Sequence, residues 1–195
     1  MPSRVPGFES DYKHEGLLLL LKSIIKSGNW ELLAKASSLG DLYGELRKLP
    51  SIGNFLAFQY AIDLTYASCY THTEEGFVVP GPGARSGIRK CFSDLGDYSE
   101  TDAIMWVTDR QEEEFSKHGL YFENLWGRSL QPIDCQNLFC EVDKYSRVRH
   151  PQAMGIGNRW RIKSVYKPGA SLRTPWFPPK WGINGKIEDE KKEPA

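Results

Sequence analysis

Two carboxylates, a carboxamide and a lysine recur at helical spacing in the stretch Pro132 to Val148. Asp134, Asn137, Glu141 and Lys144 stand at i, i+3, i+7 and i+10, which on a helix is one face. A carboxylate held beside a nucleotide sugar can stabilise developing positive charge or activate a water. Asp134 and Glu141 are therefore the candidate catalytic residues, Asp134 first because it lies near the helix start. By helical rise they are about 10 Å apart, too far to share one proton. Lys144 can pair with Glu141 and keep it ionised. Asn137 offers both donor and acceptor to a base edge. Gln136 in the same run joins Asn137 and Lys144 as a candidate substrate contact. A solvated face or a satisfied internal network would show the same spacing, so residue types leave both readings open.

A second stretch, Leu49-Pro50-Ser51-Ile52-Gly53-Asn54-Phe55-Leu56-Ala57, lies between two helical patterns. It reads as the turn of a helix-hairpin-helix element. Pro50 restricts φ and Gly53 permits a positive φ, so the turn can be tight. The following helix would present bare N–H groups near Gly53, which suits a DNA phosphate. Pro50, Ile52 and Gly53 are thus candidate DNA contacts; an ordinary helical hairpin is the alternative. Within the second helix Gln59 and Asp63 are an i, i+4 pair and should meet. Asp63 is either a buried structural acceptor or, with Gln59, a substrate contact.

Phe77-Val78-Val79 then feeds Pro80-Gly81-Pro82-Gly83, and a helix follows to about Phe92. Gly81 and Gly83 would let backbone N–H groups approach a ligand. No G-K-[ST] follows, so this is not a Walker loop. The alternative is a rigid turn with no ligand. Lys90, in the helix after the turn, is grouped with the DNA contacts.

The elements that must position these residues are helical. Apolar periodicity predicts helices over about Asp11–Lys26, Trp30–Ala36, Asp41–Arg47 (with Asp41 as N-cap), Phe55–Tyr70, Gln111–His118 and Pro132–Val148. Asp102–Asp109 fits a helix or a buried strand equally well. Beyond Pro151, Gly and Pro break regular structure, and Lys186–Ala195 is expected to be disordered. The expected fold is all-α: a helical domain over 1–168 and a basic, Pro-rich arm over 169–195.

Overall charge is zero, with 25 basic and 25 acidic residues, but it is unevenly spread. Lys144, Arg147, Arg149, Arg159, Arg161, Lys163, Lys167, Arg173, Lys180 and Lys186 follow one another with no acidic residue between them. Trp160, Tyr166, Trp176, Phe177 and Trp181 interleave with them. This mixture suits phosphates and stacked bases, and it adds Arg147, Arg149, Arg159, Arg161 and Lys163 to the candidate DNA contacts. It also suits a solubilising surface, or aromatics pinning an arm to the core. Cys69, Cys91, Cys135 and Cys140 lack zinc-site spacing and read as reduced, mostly buried thiols of a cytoplasmic protein. No metal or cofactor is expected, no membrane span is present, and a monomer is expected.

Three motifs together resemble one family: F-x-x-P-G-P-G-A from Phe77, I-D-C-Q-N-x-F-C-E-x-D-K-Y from Ile133, and F-P-P-K-W-G from Phe177. They are similar to the alpha-glutamyl/putrescinyl thymine pyrophosphorylase family, over about Leu46 to Ile183. The resemblance implies a helix-hairpin-helix DNA glycosylase-like fold acting on modified pyrimidines in duplex DNA. The expected function is a glycosylase that flips and excises a bulky hypermodified pyrimidine, such as glucosylated hydroxymethylcytosine, in antiphage defence. Pro80-Gly81 stands where the superfamily's catalytic Asp would be, which moves the search for a carboxylate to Asp134 and Glu141. Asn54-Phe55 follows Gly53 where bifunctional enzymes have a Lys, so the enzyme is expected to be monofunctional. The alternatives are an amine:DNA transferase that builds hypermodified thymine, and a non-catalytic reader of modified DNA. The longer N-terminal region of phage members, with its tyrosine-arginine motif, is not recognisable in the chain, which weighs against the transferase.

Overall fold

The computed structural model describes residues 6–122, 125–153, 155–156, 162, 167 and 174–190. Among these residues the regular elements are helical, apart from one isolated antiparallel bridge between Leu125 and Arg128. The all-α expectation holds. The chain forms two compact units, Met1–Val79 and Pro80–Ala195.

The first unit contains α1 (Lys13–Lys26), α2 (Asn29–Ala34), α3 (Leu39–Arg47) and α4 (Asn54–Thr65). Its core is the α3–α4 pair. Leu39, Leu42 and Leu46 recur on one face of α3 and are buried, as are Ala57, Phe58, Ala61 and Ile62 of α4. The small residues Ala57 and Ala61 are wholly buried. Phe77 closes the core, tilted 5.3 Å from Tyr43 and edge-on 6.1 Å from Phe58. The N-cap of α3 is Ser38, not Asp41. The Ser38 hydroxyl accepts the Asp41 N–H at 3.0 Å, so the helix starts earlier than expected. Asp41 instead takes the Ser37 hydroxyl. Bonds from the Ser37 and Ser38 hydroxyls hold its carboxyl below the usual range. α4 stops at Thr65 rather than Tyr70. Tyr66 and Ala67 bond back three residues to Asp63 and Leu64, a tightening that ends the α geometry.

The second unit contains α5 (Pro82–Cys91), α6 (Glu100–Asp109), α7 (Gln111–Lys117), α8 (Pro132–Arg149) and α9 (Asn184–Glu190), with a 3-10 turn at Pro179–Trp181. The α5–α8 packing is the most extensive of any helix pair. It depends on Gly87: a Cβ there would stand 1.9 Å from the Phe139 carbonyl oxygen. Helix wins over strand for 100–109. Ser99 and Asp102 form a capping box, the Ser99 hydroxyl accepting the Asp102 N–H and Asp102 accepting the Ser99 N–H. Ser99→Ala should lower stability by about 1 kcal/mol in urea titration; an unchanged midpoint would refute the role of the cap.

Part of the chain expected to be irregular is ordered. Phe177 stacks on Trp181 at 5.4 Å, and the Arg128 guanidinium lies 3.8 Å from the Trp181 ring centre. Asn184 clasps the Phe177 backbone from both sides, accepting its N–H at 2.9 Å and donating to its carbonyl at 2.8 Å. α9 then buries Ile187 with the preceding Ile183, an i, i+4 pair. Residues 186–190 are therefore helical, which corrects the expectation of a disordered tail there. Aromatic pinning of the arm is the alternative that the structure favours.

All four cysteines are free, but only Cys135 is fully buried; Cys69 and Cys91 are exposed. Burial pushes the Cys135 and Cys140 thiols up, away from the reactive thiolate. Among the described residues no cluster of three metal-ligating side chains occurs, and no helix is long and apolar enough to cross a membrane.

Candidate nucleic-acid interface

The turn between α3 and α4 is a tight helical hairpin, as its residues suggest, but Gly53 is not its strained position. Ser51 takes the positive φ, at 60°, while Gly53 is extended at φ −77° and serves as the N-cap of α4. The Arg47 guanidinium donates to the Ile52 carbonyl at 2.5 Å and holds the turn. The Ile52 side chain is buried and anchors the turn to the core, so it is not presented to a ligand. Pro50, Gly53, Asn54 and Phe55 are exposed. The first bond into the helix runs from Ala57 N–H to Gly53 carbonyl, at 2.9 Å. No side chain caps the N–H groups that precede it. A Cβ on Gly53 would meet nothing within 4 Å.

Further along α4, Asp63 is exposed, which corrects the expectation of a buried acceptor. Gln59 Nε2 is buried and makes no hydrogen bond, so the expected Gln59–Asp63 bond is absent.

In the second unit α8 turns a different face inward from the one its candidate residues occupy. Cys135, Gln136, Phe139, Asp143 and Ser146 are buried, whereas Asn137, Glu141 and Lys144 are exposed. Asp134 is partly buried and structural in its contacts. It completes the capping box with Gln131 and takes the Arg128 guanidinium at 2.7 Å. Glu141 keeps 64% of its side chain exposed and pairs with Lys144, as the spacing predicts. Asn137 accepts from Gln136 Nε2 at 2.8 Å.

Gln136 also binds the Pro-Gly turn: its Oε1 accepts the buried Gly81 N–H at 3.3 Å. Gly83 packs against Cys140, with only 3.0 Å between a Cβ there and the Cys140 sulfur. Both glycines are thus engaged by α8, Gly81 through its N–H and Gly83 through its close packing. Lys90 and Arg147 are also corrected. Both cations converge on Asp143, Lys90 Nζ at 2.9 Å and Arg147 through its guanidinium. Their side chains are 6% and 11% exposed, so neither is offered to DNA phosphate. Arg149 is exposed at the end of α8. Arg159, Arg161 and Lys163 lie outside the described residues.

Sequence reasoning missed Ser86 and Asp143. The Ser86 hydroxyl donates to Asp143 Oδ1 at 2.8 Å, and Lys90 Nζ also reaches the Asp143 carbonyl at 3.2 Å. Burial pushes the Asp143 carboxyl up, but bonds from Lys90, Ser86 and Arg147 outweigh it and hold the pKa below the usual value. The available signal was spacing: Ser86–Lys90 and Asp143–Arg147 are both i, i+4 pairs. Gly155 seals this network; a Cβ on it would lie 2.3 Å from the Ser86 hydroxyl.

Residues 1–155 match the family model described as 5-hmdU DNA kinase, helical domain. The chain belongs to the 5-hmdU DNA kinase helical-domain family. The 5-hmdU DNA kinase of Bacillus phage SP10 is 28% identical over 145 residues, which cover 71% of this chain and 22% of that relative. The chain thus spans about a fifth of that relative's length. No solved structure matches. The family and the relative are both named for 5-hmdU in DNA, a modified thymine, so they lie close to the subject of the motif resemblance but constitute a different family. The match overturns the glycosylase expectation, because the relative is named for phosphoryl transfer rather than hydrolysis of a glycosidic bond. The assignment of Asp134 and Glu141 as excision carboxylates, and the monofunctional chemistry, lose the reaction that required them.

Proposed function

We infer that this chain is a DNA-engaging helical module that serves phosphoryl transfer to 5-hydroxymethyluracil in DNA. The observation that carries this reading is the family match over residues 1–155, which includes the whole α3–α4 hairpin. Of the reactions on modified pyrimidines weighed from the sequence, a transferase that builds a modified thymine agrees with that match. The reaction would transfer the terminal phosphoryl group of a nucleoside triphosphate to the hydroxymethyl oxygen of the base, breaking the phosphoanhydride P–O bond and releasing the nucleoside diphosphate and the hydroxyl proton. Catalysis of that step is largely positioning and charge stabilisation, so a module that fixes the DNA contributes directly. The Pro-Gly turn before α5 lacks the G-K-[ST] of a Walker loop. Phosphate contact is assigned to the exposed start of α4, where backbone N–H groups and the helix dipole favour an anion.

The test is binding of the full chain to two duplexes that differ only in 5-hydroxymethyluracil against thymine. Tighter binding to the modified duplex, weakening steeply with salt, is expected. Equal affinity for the two, or a flat salt titration, would sink the reading. Gly53→Asp probes the hairpin separately. Aspartate is a good N-cap and meets open space, so the fold should hold, yet its carboxylate occupies the phosphate position. Binding should fall by about tenfold, the order expected for a lost charged contact. Unchanged affinity in a folded Gly53→Asp protein would remove the hairpin from the interface.

A further inference from the structure

We propose that the cavity between the end of α5 and α6 binds a small alkylammonium ion. The cavity holds about 190 Å3 and is lined by Phe92, Asp94, Leu95, Tyr98, Ala103 and Trp106. Three of these are aromatic, and aromatic faces carry the negative part of a quadrupole that attracts a cation within about 6 Å. Trp106 already does so at one point: the Arg110 guanidinium carbon lies 5.4 Å from its ring centre. Arg110 does not line the cavity, so it does not fill it.

The surrounding charge selects a cation over other ligands. From Cys91 to Asp109 the chain carries Asp94, Asp97, Glu100, Asp102 and Asp109 with no Lys, Arg or His, and the Arg110 that follows is paired with Glu113 at 3.6 Å. Arg85 and Arg89 reach in from α5, but both are directed to Glu100, at 3.7 and 3.1 Å. Asp102 is engaged in the capping box. Asp94 is exposed at the cavity; its Oδ1 accepts the Gly96 N–H at 3.0 Å, and a carboxylate has lone pairs for further donors. A phosphate-bearing ligand would be repelled by this segment. A neutral apolar ligand would gain nothing from Asp94. An alkylammonium ion uses both parts of the lining, its head between Asp94 and the aromatic rings and its chain against Leu95 and Ala103.

Titration calorimetry of the full chain with butylammonium chloride, and with n-butanol as the neutral counterpart, tests this proposal. Saturable one-to-one binding of butylammonium is expected, at least about tenfold tighter than n-butanol. Asp94 and Tyr98 are exposed, so Asp94→Asn and Tyr98→Ala should fold. Each should weaken butylammonium by about three- to tenfold. Equal affinity for the two probes, no saturable binding, or unchanged affinity in both variants would overturn the proposal. Tighter binding of a lysine-containing peptide than of butylammonium would overturn its assignment to a free amine. The proposal does not depend on the DNA reading, and neither variant should alter DNA binding.

Discussion

Asp143→Ala is expected to destabilise the second unit by about 3–5 kcal/mol, the cost of removing one partner from a buried charge network. Asp143 retains 2% side-chain exposure and is the carboxylate on which Lys90 and Arg147 converge. Its removal leaves two cations in a low-dielectric interior. Lys90→Met should do less harm, because Asp143 keeps Ser86 and Arg147. The pH dependence follows from the depressed folded-state pKa of Asp143. A carboxyl whose folded pKa lies below its unfolded value contributes stability above the unfolded value, about 3.9. That contribution disappears as pH falls through the folded value. Urea midpoints of wild type and Asp143→Ala should therefore lie far apart at pH 7 and converge below about pH 4. A gap that stays constant into acid would show that the ionised carboxylate is not what stabilises the unit.

Gly87→Ala is the second large effect. One methyl group is added, yet it would sit 1.9 Å from the Phe139 carbonyl oxygen, far inside contact distance. That oxygen belongs to the α8 backbone and cannot swing aside as a flexible side chain could. α5 and α8 must separate, which also pulls Ser86 and Lys90 away from Asp143. Overpacking of this kind costs about 1–3 kcal/mol and occasionally more, and the loss of the network places this variant at or above the upper end. Gly44→Ala is the control. Gly44 is also inside a helix, α3, but an added Cβ meets nothing within 4 Å. Helix propensity alone then acts, and a gain of about 0.5–1 kcal/mol is expected. Thermal melts of the two variants should move in opposite directions. A Gly87→Ala protein as stable as wild type would mean that the helices do not cross this closely.

Much of the secondary structure was legible from local signals. The Leu39, Leu42 and Leu46 repeat specifies α3 and its buried face, and the Pro50–Gly53 segment specifies a hairpin. Pro132 with Asp134 three residues after Gln131 marks the start of α8. Such features need only neighbours within a turn or two, and those are in the sequence. The errors arose where a local signal had a near competitor. Ser38 and Asp41 are both good caps, and only the backbone geometry shows which one closes the helix. Lys186–Glu190 looks like a solvated tail until Ile183 and Ile187 are found buried in the second unit.

The face of α8 could not be read from the sequence. Asp134, Asn137, Glu141 and Lys144 form one polar stripe, and Gln136, Asp143 and Ser146 form another, beside the apolar Phe139, that also carries a charge. Periodicity ranks neither as the buried one. The second stripe goes inside because its polar atoms find partners on α5 and its N-cap: Gly81 for Gln136, and Ser86 with Lys90 for Asp143. Ser86 lies 57 residues from Asp143 in the chain. Burying a carboxylate is unfavourable until those donors surround it, so its place is determined by the packing of two distant helices. The sequence by itself determined the helices and the hairpin; tertiary structure decided which charges are offered to a ligand and which hold the protein together.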